Sequence, residues 1–290
     1  MAFNIIVLAK QVPDTRNVGK DAMKADGTVN RGALPAIFNP EDLNALEQAL
    51  SIKDRFPGTK ITLLTMGPGR AAEILREGLY RGADDGVLLT DRAFAGADTL
   101  ATAYALAMAV RKIGDFDIIV SGRQAIDGDT AQVGPQVAEK LGIPQITYAE
   151  EVEKVSKKKI QVKRRLDNGV EVVESGFPVL LTVTGSSRTC RPRNAKYLQK
   201  YKHSRTITER QADATDYIDL YSSRPFLNLT EWSVADVGAD VEQCGLKGSP
   251  TKVKKIQNVV FQAKESKRYT DDDDEMEDLI KELIGNHTIG

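Results

Sequence analysis

The sequence is poor in residues that bind metals or form disulfide bonds. Its 290 residues include two cysteines and two histidines. Cys190 and Cys244 are far apart and neither belongs to a CxxC pair, so no disulfide framework or zinc site is indicated. His203 and His287 stand in polar surroundings, which argues against a histidine-based metal centre. Because cysteines are so few, we expect the chain to work in a reducing cytoplasm.

The chain also lacks a charge excess and a long apolar run. Its net charge of −1 argues against a general nucleic-acid binder. No apolar stretch approaches the roughly 20 residues of a membrane span. The N-terminal sequence MAFNIIVLAKQ is too short and too strand-like for a signal peptide. The length suits one large or two modest domains, and we expect neither nucleic-acid binding nor membrane insertion.

Two familiar phosphate-binding motifs, GxxxxGK[ST] and GxGxxG, are absent. The stretch that has the character of a phosphate-binding loop is residues 117–133, with the sequence DIIVSGRQAIDGDTAQV. This stretch begins as a short apolar strand, 117–120, breaks at 121–122 and continues through a polar loop containing Gly128. A helical pattern starts near Thr130. A strand, glycine loop and helix in this order place backbone N–H groups and a helix N-terminus where an anion can bind.

The polar side chains of this loop favour a nucleotide as the ligand. Arg123 and Gln124 can donate to phosphate or to the edge of a heterocycle. Asp127 and Asp129 repel phosphate but can accept hydrogen bonds from ribose hydroxyls. The alternative is an ordinary strand–helix turn in which Asp129 or Thr130 caps the helix.

The first half of the chain alternates between apolar strands and helices, which predicts an α/β fold with a doubly wound, mostly parallel sheet. After the first strand, a turn is predicted at 12–14, and the stretch from there to Pro35 is interpreted as a loop or hairpin. Strands are predicted at 4–8, 60–66, 86–89 and 117–120, and helices at 39–56, 70–80, 98–113 and from about 130.

Polar residues follow the first strand and open the first helix. Lys10 stands at the strand's carboxyl end, where open α/β sheets bind ligands. Asn39 and Asp42 belong to the Asn-Pro-Glu-Asp sequence that begins the helix. The simplest interpretation makes Asn39 an N-cap and Asp42 a carboxylate that complements the helix dipole.

The helix that starts after Asp98 has two hydroxyl side chains at its first turns. Thr99 and Thr102 are three residues apart and therefore share one face. One interpretation is capping chemistry by Asp98 and its neighbours. The other is a diphosphate held by the hydroxyls and the helix N–H groups.

The second half of the chain is richer in β-structure. Strands are predicted at 160–162, 170–174 and 179–183, the first two as a hairpin around 167–169. Further along, the sequence predicts a loop-like setting for Trp232, a turn at 245–251, an acidic run at 271–274, and a short amphipathic helix at 275–284 that is either frayed or packed on another subunit.

Two stretches, 157–165 and 188–210, are strongly basic. Each can be a solvated surface, and an electrostatic docking face for an acidic protein is the alternative. Tyr197, Leu198 and Tyr201 give the second stretch apolar anchors, which favours docking of a protein over nucleic acid.

Several of these stretches resemble one family, the beta (small) subunit of electron transfer flavoprotein, over essentially the whole chain. The matching sequences are VLAKQVPD at 7–14, NPED and ALE at 39–47, TMGP at 65–68, GRQAIDGD at 122–129, and the spaced residues Val162, Lys163, Arg164, Asp167, Glu171, Val173, Pro178, Leu180, Leu181 and Thr182. Asn168 departs mildly from the family pattern in the hairpin turn.

The resemblance implies a nucleotide-binding α/β fold similar to that of the adenine nucleotide alpha hydrolases or to the Rossmann fold. It also implies an added β-hairpin region and a C-terminal arm. In one group of the family the beta subunit holds AMP, and in the electron-bifurcating group it holds FAD. This chain resembles the second group at three stretches: GADTLAT at 96–102, GDTAQVGP at 128–135 and GSPT at 248–251.

Carried over by resemblance, most of these residues line a cofactor. The residues expected to line the adenine are Leu8, Ala9, Lys10, Asn39, Asp42 and Met66. The residues expected to bind the flavin diphosphate are Asp98, Thr99 and Thr102. Those expected to bind adenosine and phosphate are Gly122, Arg123, Gln124, Ala125, Ile126, Asp127, Gly128, Asp129, Thr130, Ala131, Gln132 and Val133.

The resemblance also implies partners and a division of the chain. A nucleotide-binding domain spans 1–186, a partner recognition segment 187–210, the remainder of the α/β domain 211–265, and an arm that contacts the alpha subunit 266–290. The recognition segment of the family meets an acyl-CoA dehydrogenase. Here its sequence RPRNAKYLQKY departs from the usual form, and the expected contacts are Arg191, Ala195, Tyr197 and Leu198.

The function implied is transfer of electrons between NADH, a low-potential acceptor (ferredoxin or flavodoxin) and the FAD of the alpha subunit, on the way to a dehydrogenase. Two alternatives stay open: a subunit with structural AMP only, and an unrelated nucleotide-binding enzyme of the same fold class. No catalytic side chain stands out, and Cys190 as a nucleophile with His203 is disfavoured because both lie in a basic surface stretch.

Overall fold

A computed structural model describes residues 1–14, 35–212, 218–251, 266–286 and 288–289. The predicted loop or hairpin before Pro35 lies outside these residues, as does His287. Within them no helix has both the length and the apolar character needed to cross a bilayer.

Strands and helices alternate through the first half of the chain. The strands are β1 (Asn4–Leu8), β2 (Gln11–Pro13), β3 (Ala36–Phe38), β4 (Lys60–Met66), β5 (Asp85–Leu89), β6 (Ile118–Gly122), β7 (Gln145–Val155), β8 (Lys159–Leu166), β9 (Gly169–Gly176), β10 (Val179–Val183) and β11 (Thr230–Trp232). The helices are α1 (Pro40–Arg55), α2 (Ala72–Arg81), α3 (Thr99–Ile113), α4 (Val133–Leu141), α5 (Ala195–Tyr201), α6 (Ile207–Ala212), α7 (Ile218–Ser223) and α8 (Asp273–Gly285).

In the described part of the chain, nine strands form the central sheet in the order β11-β5-β4-β1-β6-β10-β7-β8-β9. The pairs from β11 to β7 are parallel, and the pairs β7–β8 and β8–β9 are antiparallel. The predicted doubly wound, mostly parallel sheet with an added hairpin is therefore confirmed. The hairpin turn falls between β8 and β9, at the predicted residues.

The core lies on both faces of this sheet, as the continuous apolar run of β1 requires. Ile5 and Val7 point to one face, where they join buried residues of α1 and α2. Ile6 and Leu8 point to the other, where they join buried residues of α3 and α4. All four side chains are at most 5% exposed.

Several predicted boundaries differ from the structure. The helix expected from about Thr130 begins at Val133, because Asp129 and Ala131 have φ of 48° and 51° and cannot belong to an α-helix. The helix expected from Arg70 begins at Ala72, after a 3₁₀ turn at Gly69–Ala71.

Two strands differ from prediction. The loop-like setting predicted for Trp232 is wrong: it ends β11, whose pairing with β5 is parallel, and it is partly buried against the core. β7 was not predicted, because its eleven residues include four charged ones, of which Glu151, Glu153 and Lys154 are exposed and Glu150 is buried.

Candidate functional site

The carboxyl ends of β1, β4 and β6 bring the predicted cofactor residues to one edge of the sheet. β1 is hydrogen-bonded to both of the other strands, so their ends are adjacent. Leu8, Ala9 and Lys10 end or follow β1, Met66 ends β4, and Gly122 ends β6. Leu8 and Ala9 are buried, whereas Lys10 is exposed. This edge is where open α/β sheets bind ligands.

Asn39, at the start of α1, binds the loop that follows β6. Its Nδ2 donates to the Gln124 carbonyl at 2.9 Å, and its Oδ1 accepts from the Ile126 N–H at 3.2 Å. Asn39 occupies the predicted N-cap position of α1, but its side chain makes no capping hydrogen bond to the helix. Asn39 instead fixes the loop against the helix.

Asp42 joins the ends of β1 and β6. Its Oδ2 accepts from the Lys10 N–H at 2.8 Å and its Oδ1 from the Gly122 N–H at 2.9 Å. The side chain is buried. Burial raises the pKa of Asp42 to about 7, against the two backbone N–H groups and Asn39, which lower it. Asp42 therefore does more than complement the helix dipole.

The close approach of α1 to β6 needs a glycine at position 122. A Cβ there would lie 2.5 Å from Asp42 Oδ1 and 2.8 Å from the Glu41 carbonyl carbon. Beside it, Glu41 accepts from the Gln124 N–H at 3.0 Å and from Arg123 Nη2 at 3.0 Å. Arg123, predicted as a phosphate donor, is thus paired with Glu41.

The 124–129 loop is held by its own contacts. The Ala125 carbonyl accepts from the N–H groups of Gly128 and Asp129 at 3.2 and 2.9 Å. Gln124 Nε2 donates to Asp129 Oδ1 at 2.8 Å. Lys10 Nζ donates to both oxygens of Asp127, at 2.7 and 3.0 Å. The two acidic side chains, predicted as ribose acceptors, keep further lone pairs for that role.

The N-terminus of α4 follows directly and has no side-chain cap. The N-cap residue is Gln132, and neither it nor Asp129 or Thr130 caps the helix as the simple turn interpretation required. Ala131 in the left-handed region turns the chain into Val133. The first N–H groups of α4 are therefore free of the side-chain cap that closes α3.

Small residues and a buried hydroxyl adjoin this helix start. Ser121 Oγ is buried and has no hydrogen-bond partner among the described residues. A Cβ at Gly134 would lie 2.9 Å from Ser121 Oγ and 2.7 Å from Thr182 Cγ2. The backbone of α4 can therefore approach β6 closely only because position 134 is glycine.

The N-terminus of α3 lies next to the same loop. Asp98 caps it, accepting from the N–H groups of Leu100 and Ala101 at 3.0 Å, so its predicted capping role is confirmed. Thr99 Oγ1 donates to Gln132 Oε1 at 2.8 Å, and this contact joins α3 to the residue before α4. Thr102 is half-buried one turn along.

Residues 245–251 close over the start of α3, a contact that the sequence did not reveal. The Asp98 N–H donates to Ser249 Oγ at 2.8 Å. Thr251 donates to Asp98 Oδ2 through its N–H at 3.1 Å and its hydroxyl at 2.7 Å. Although desolvation raises the pKa of Asp98, its hydrogen bonds with Ala101 and Thr251 outweigh this and lower it.

The donors gathered here fit the phosphates of a nucleotide. They are the uncapped first turn of α4 and the exposed ammonium of Lys10, which also bonds Asp127. Asp127 and Asp129 supply acceptors for hydroxyl groups. Thr99 thus joins the start of α3 to loop 122–132, and residues 245–251 bond to Asp98 at the same helix start.

The recognition segment predicted at 187–210 is attached to α1 by Arg191. Its guanidinium donates to Glu47 and Asp54, with distances of 2.9 and 2.8 Å from Nη2. Ala195 begins α5. Tyr197 packs against the core, whereas Leu198 is 41% exposed.

Cys190, considered as a nucleophile, is unsuited to that role. Its thiol is partly buried and packs against the core. Burial raises the pKa of Cys190 to about 12. A thiol with that pKa carries almost no thiolate at neutral pH.

Comparison with known proteins places these features in a family. A family model described as the electron transfer flavoprotein domain matches residues 26–211. The chain is 47% identical to the electron transfer flavoprotein subunit beta of Megasphaera elsdenii, with 88% of this chain and 87% of that protein covered. It is 44% identical to the caffeyl-CoA reductase-Etf complex subunit CarD of Acetobacterium woodii, covering 87% and 86%. It is 40% identical to the acryloyl-CoA reductase electron transfer subunit gamma of Anaerotignum propionicum, covering 99% and 100%.

Proposed function

The chain belongs to the beta subunits of the electron transfer flavoprotein family, and from that premise we propose that it binds FAD in a heterodimer and passes electrons through it. The site for the FAD is the polar edge formed by loop 122–132, the N-termini of α3 and α4, and residues 245–251. Membership of the family removes the alternative of an unrelated nucleotide-binding enzyme.

The observation that carries this proposal is the second helix N-terminus. A nucleoside monophosphate needs one phosphate-binding element, and the uncapped start of α4 supplies it. The start of α3 is joined to it through Thr99 and Gln132 and is held in place by residues 245–251. A second phosphate-binding helix start, in contact with the first through Thr99 and Gln132, suits a diphosphate that continues to a flavin.

The residues of the site would bind and orient the cofactor. Asn39 and Asp42 keep the loop and the two strand ends in register. Asp127 and Asp129 would accept from ribose hydroxyls, and Thr99 and Thr102 would donate to the diphosphate. When bound, the flavin would supply the redox chemistry, which the side chains of this chain do not provide.

The proposed electron path begins at NADH. One electron would go to a low-potential acceptor, ferredoxin or flavodoxin, and the other to the FAD of the alpha subunit and then to a dehydrogenase. The names of two similar proteins, a subunit of a caffeyl-CoA reductase complex and an electron transfer subunit of acryloyl-CoA reductase, support a CoA-ester partner of this class.

Two surfaces would meet these partners. The recognition segment 187–210 exposes Leu198 to a dehydrogenase of the acyl-CoA class. The arm at 266–290 contains α8, whose apolar residues Met276, Ile280 and Ile284 are all exposed. They recur every four residues and form one apolar face, which suits docking on the alpha subunit.

The second candidate function is a subunit that binds AMP only. The cap at Asp98 favours it, since Asp98 already satisfies two N–H groups of α3. In that case Thr99 and Thr102 would have no ligand, and all electrons would pass through the alpha subunit.

Replacing Thr99 and Thr102 together by alanine separates these functions. We expect a lower FAD occupancy of the beta site in the purified heterodimer, while the alpha-subunit FAD stays in place. Thr208→Ala is the matched control, because Thr208 is also near the start of a helix, α6, and its hydroxyl bonds Glu231 at 2.7 Å. Unchanged beta-site occupancy in the double variant would contradict the assignment.

A further inference from the structure

An exposed aromatic side chain lies beside the recognition helix but comes from a different part of the chain. Phe226, in the 3₁₀ turn Pro225–Leu227, is 42% exposed. Its ring stands at 87° to the ring of Tyr201 in α5, with 5.9 Å between the centroids. Tyr201 is buried, so it forms the floor on which Phe226 packs.

Leu198 continues this apolar area along α5. Leu198 and Tyr201 are three residues apart and therefore neighbours on one face of the helix. Leu198 is 41% exposed, close to the exposed fraction of Phe226. Two large apolar side chains thus reach solvent next to the same buried tyrosine. We call this area the Leu198–Phe226 surface.

A cation lies against the two aromatic rings of this surface. Lys200 Nζ lies 4.5 Å from the centroid of the Tyr201 ring and 4.9 Å from that of Phe226. It also donates to the Tyr201 hydroxyl at 2.9 Å. Cation–π contacts of this kind hold the ammonium next to the aromatic rings. The lysine is exposed and has no carboxylate partner within the described residues.

The segment that carries α5 is basic. Residues 188–205 contain seven arginines and lysines and no aspartate or glutamate. Lys196, Lys202 and Arg224 are exposed, and the structure gives them no ion pair among the residues that it describes. A surface with apolar anchors and unpaired cations is complementary to an apolar pocket bordered by carboxylates.

We propose that Phe226 is a second docking anchor in addition to Leu198, and that Lys200, whose ammonium lies against the Phe226 ring, binds a carboxylate of the partner dehydrogenase. This inference rests on the proposed function, because it takes the partner to be the dehydrogenase that receives the electrons. It adds to the recognition segment a residue that follows the end of α5 by more than twenty positions in sequence. The partner must offer an apolar pocket wide enough for both side chains, with acidic residues at its border.

The chemistry favours a protein over an anionic membrane as the occupant. A leucine and an aromatic ring around one buried tyrosine form a small, shaped cluster of the kind that dominates protein interfaces. Binding to anionic lipid depends mainly on a row of basic residues and needs no such shape. The membrane is therefore an outcome for the test to exclude.

The test measures reduction of a purified acyl-CoA dehydrogenase from the same organism by the FAD-loaded heterodimer. For Phe226→Ala we expect the KM for the dehydrogenase to rise about tenfold, as for an interface anchor. Reduction of the small acceptor dichlorophenolindophenol should stay unchanged. Leu166→Ala is the matched control. Leu166 is 41% exposed, close to the exposed fraction of Phe226, and lies on the hairpin at the other end of the sheet. For Lys200→Gln we expect a weaker dependence of KM on salt concentration.

An unchanged KM in Phe226→Ala, with a raised KM in Leu198→Ala, would overturn the inference and confine docking to α5. If Phe226→Ala instead lost binding to phosphatidylglycerol vesicles and still transferred electrons to the dehydrogenase normally, the inference would also be overturned. The surface would then be assigned to a membrane. A wild-type heterodimer that transfers no electrons to the dehydrogenase would overturn the proposed function, and this inference with it.

Discussion

Replacing Arg191 by alanine should detach the recognition segment from α1. Arg191 Nε and Nη2 each donate to Glu47 at 2.9 Å, and the Arg191 N–H donates to the same carboxylate at 3.0 Å. Glu47 is buried. Burial raises the pKa of Glu47, but the hydrogen bonds from Arg191 outweigh it and hold that pKa below its usual value. Arg191 therefore stabilises the charged form of Glu47.

The magnitude follows from leaving that carboxylate without its partner. Removing one member of a buried ion pair costs about 3–5 kcal/mol. The Arg191 side chain keeps 32% of its surface exposed, so we expect the lower end, about 3 kcal/mol. Because each 1.4 kcal/mol is tenfold, local opening of the segment should increase about a hundredfold.

Hydrogen exchange of the intact heterodimer, followed by mass spectrometry of peptides covering 189–201, measures this opening. The matched control is Arg193→Ala in the same segment. Arg193 is 53% exposed and its Nη2 lies 3.5 Å from Glu77, so its loss should cost less than about 1 kcal/mol. Adding Glu47→Gln to Arg191→Ala should restore part of the protection, because no buried charge is then left unpaired.

Equal exchange in the Arg191→Ala and Arg193→Ala variants would refute this reasoning. It would mean that the Glu47 carboxylate finds water or another cation when Arg191 is absent, and that packing of Tyr197 against the core holds the segment.

Three further predictions concern the site and the arm. Gly122→Ala should empty the beta site, since its Cβ would lie 2.5 Å from Asp42 Oδ1, whereas Gly128→Ala, with nothing within 4 Å, should retain the nucleotide; chromatography of released nucleotides checks both. Asp42 has a folded-state pKa of about 7, above the usual 3.8. The folded state therefore binds the proton more tightly than the unfolded state does. Because Asp42 gives up this proton as the pH rises from about 5.5 to about 7.5, the free energy of unfolding should fall by about 2 kcal/mol over that range. Urea unfolding of the heterodimer should lose that pH dependence in Asp42→Asn. Ile280→Asp should weaken association with the alpha subunit, and Lys281→Ala should not, as measured by sedimentation.

The sheet could be predicted because its strands are short apolar runs between glycines and helices. β1 and β4 have the predicted bounds, since each begins at an exposed polar residue, Asn4 or Lys60, and continues through mostly buried, apolar positions. The start of α4 could not be placed, because a left-handed alanine at position 131 has no signal in the sequence.

The contacts that assemble the site were harder to foresee. Asp98 and Thr251 are separated by 153 positions, and the turn residues around Ser249 carry no periodicity. Asn39 has the sequence features of an N-cap, yet the loop after β6 offers its side chain an N–H and a carbonyl instead. Only the packing of α1 against β6 brings these groups together.

The most direct test of the proposed function is the flavin content of the heterodimer produced with its alpha subunit, with the released nucleotides separated and identified. The proposed site predicts two FAD and no AMP per heterodimer. One FAD with one AMP would contradict it, and would leave Thr99 and Thr102 as ordinary residues of a capped helix.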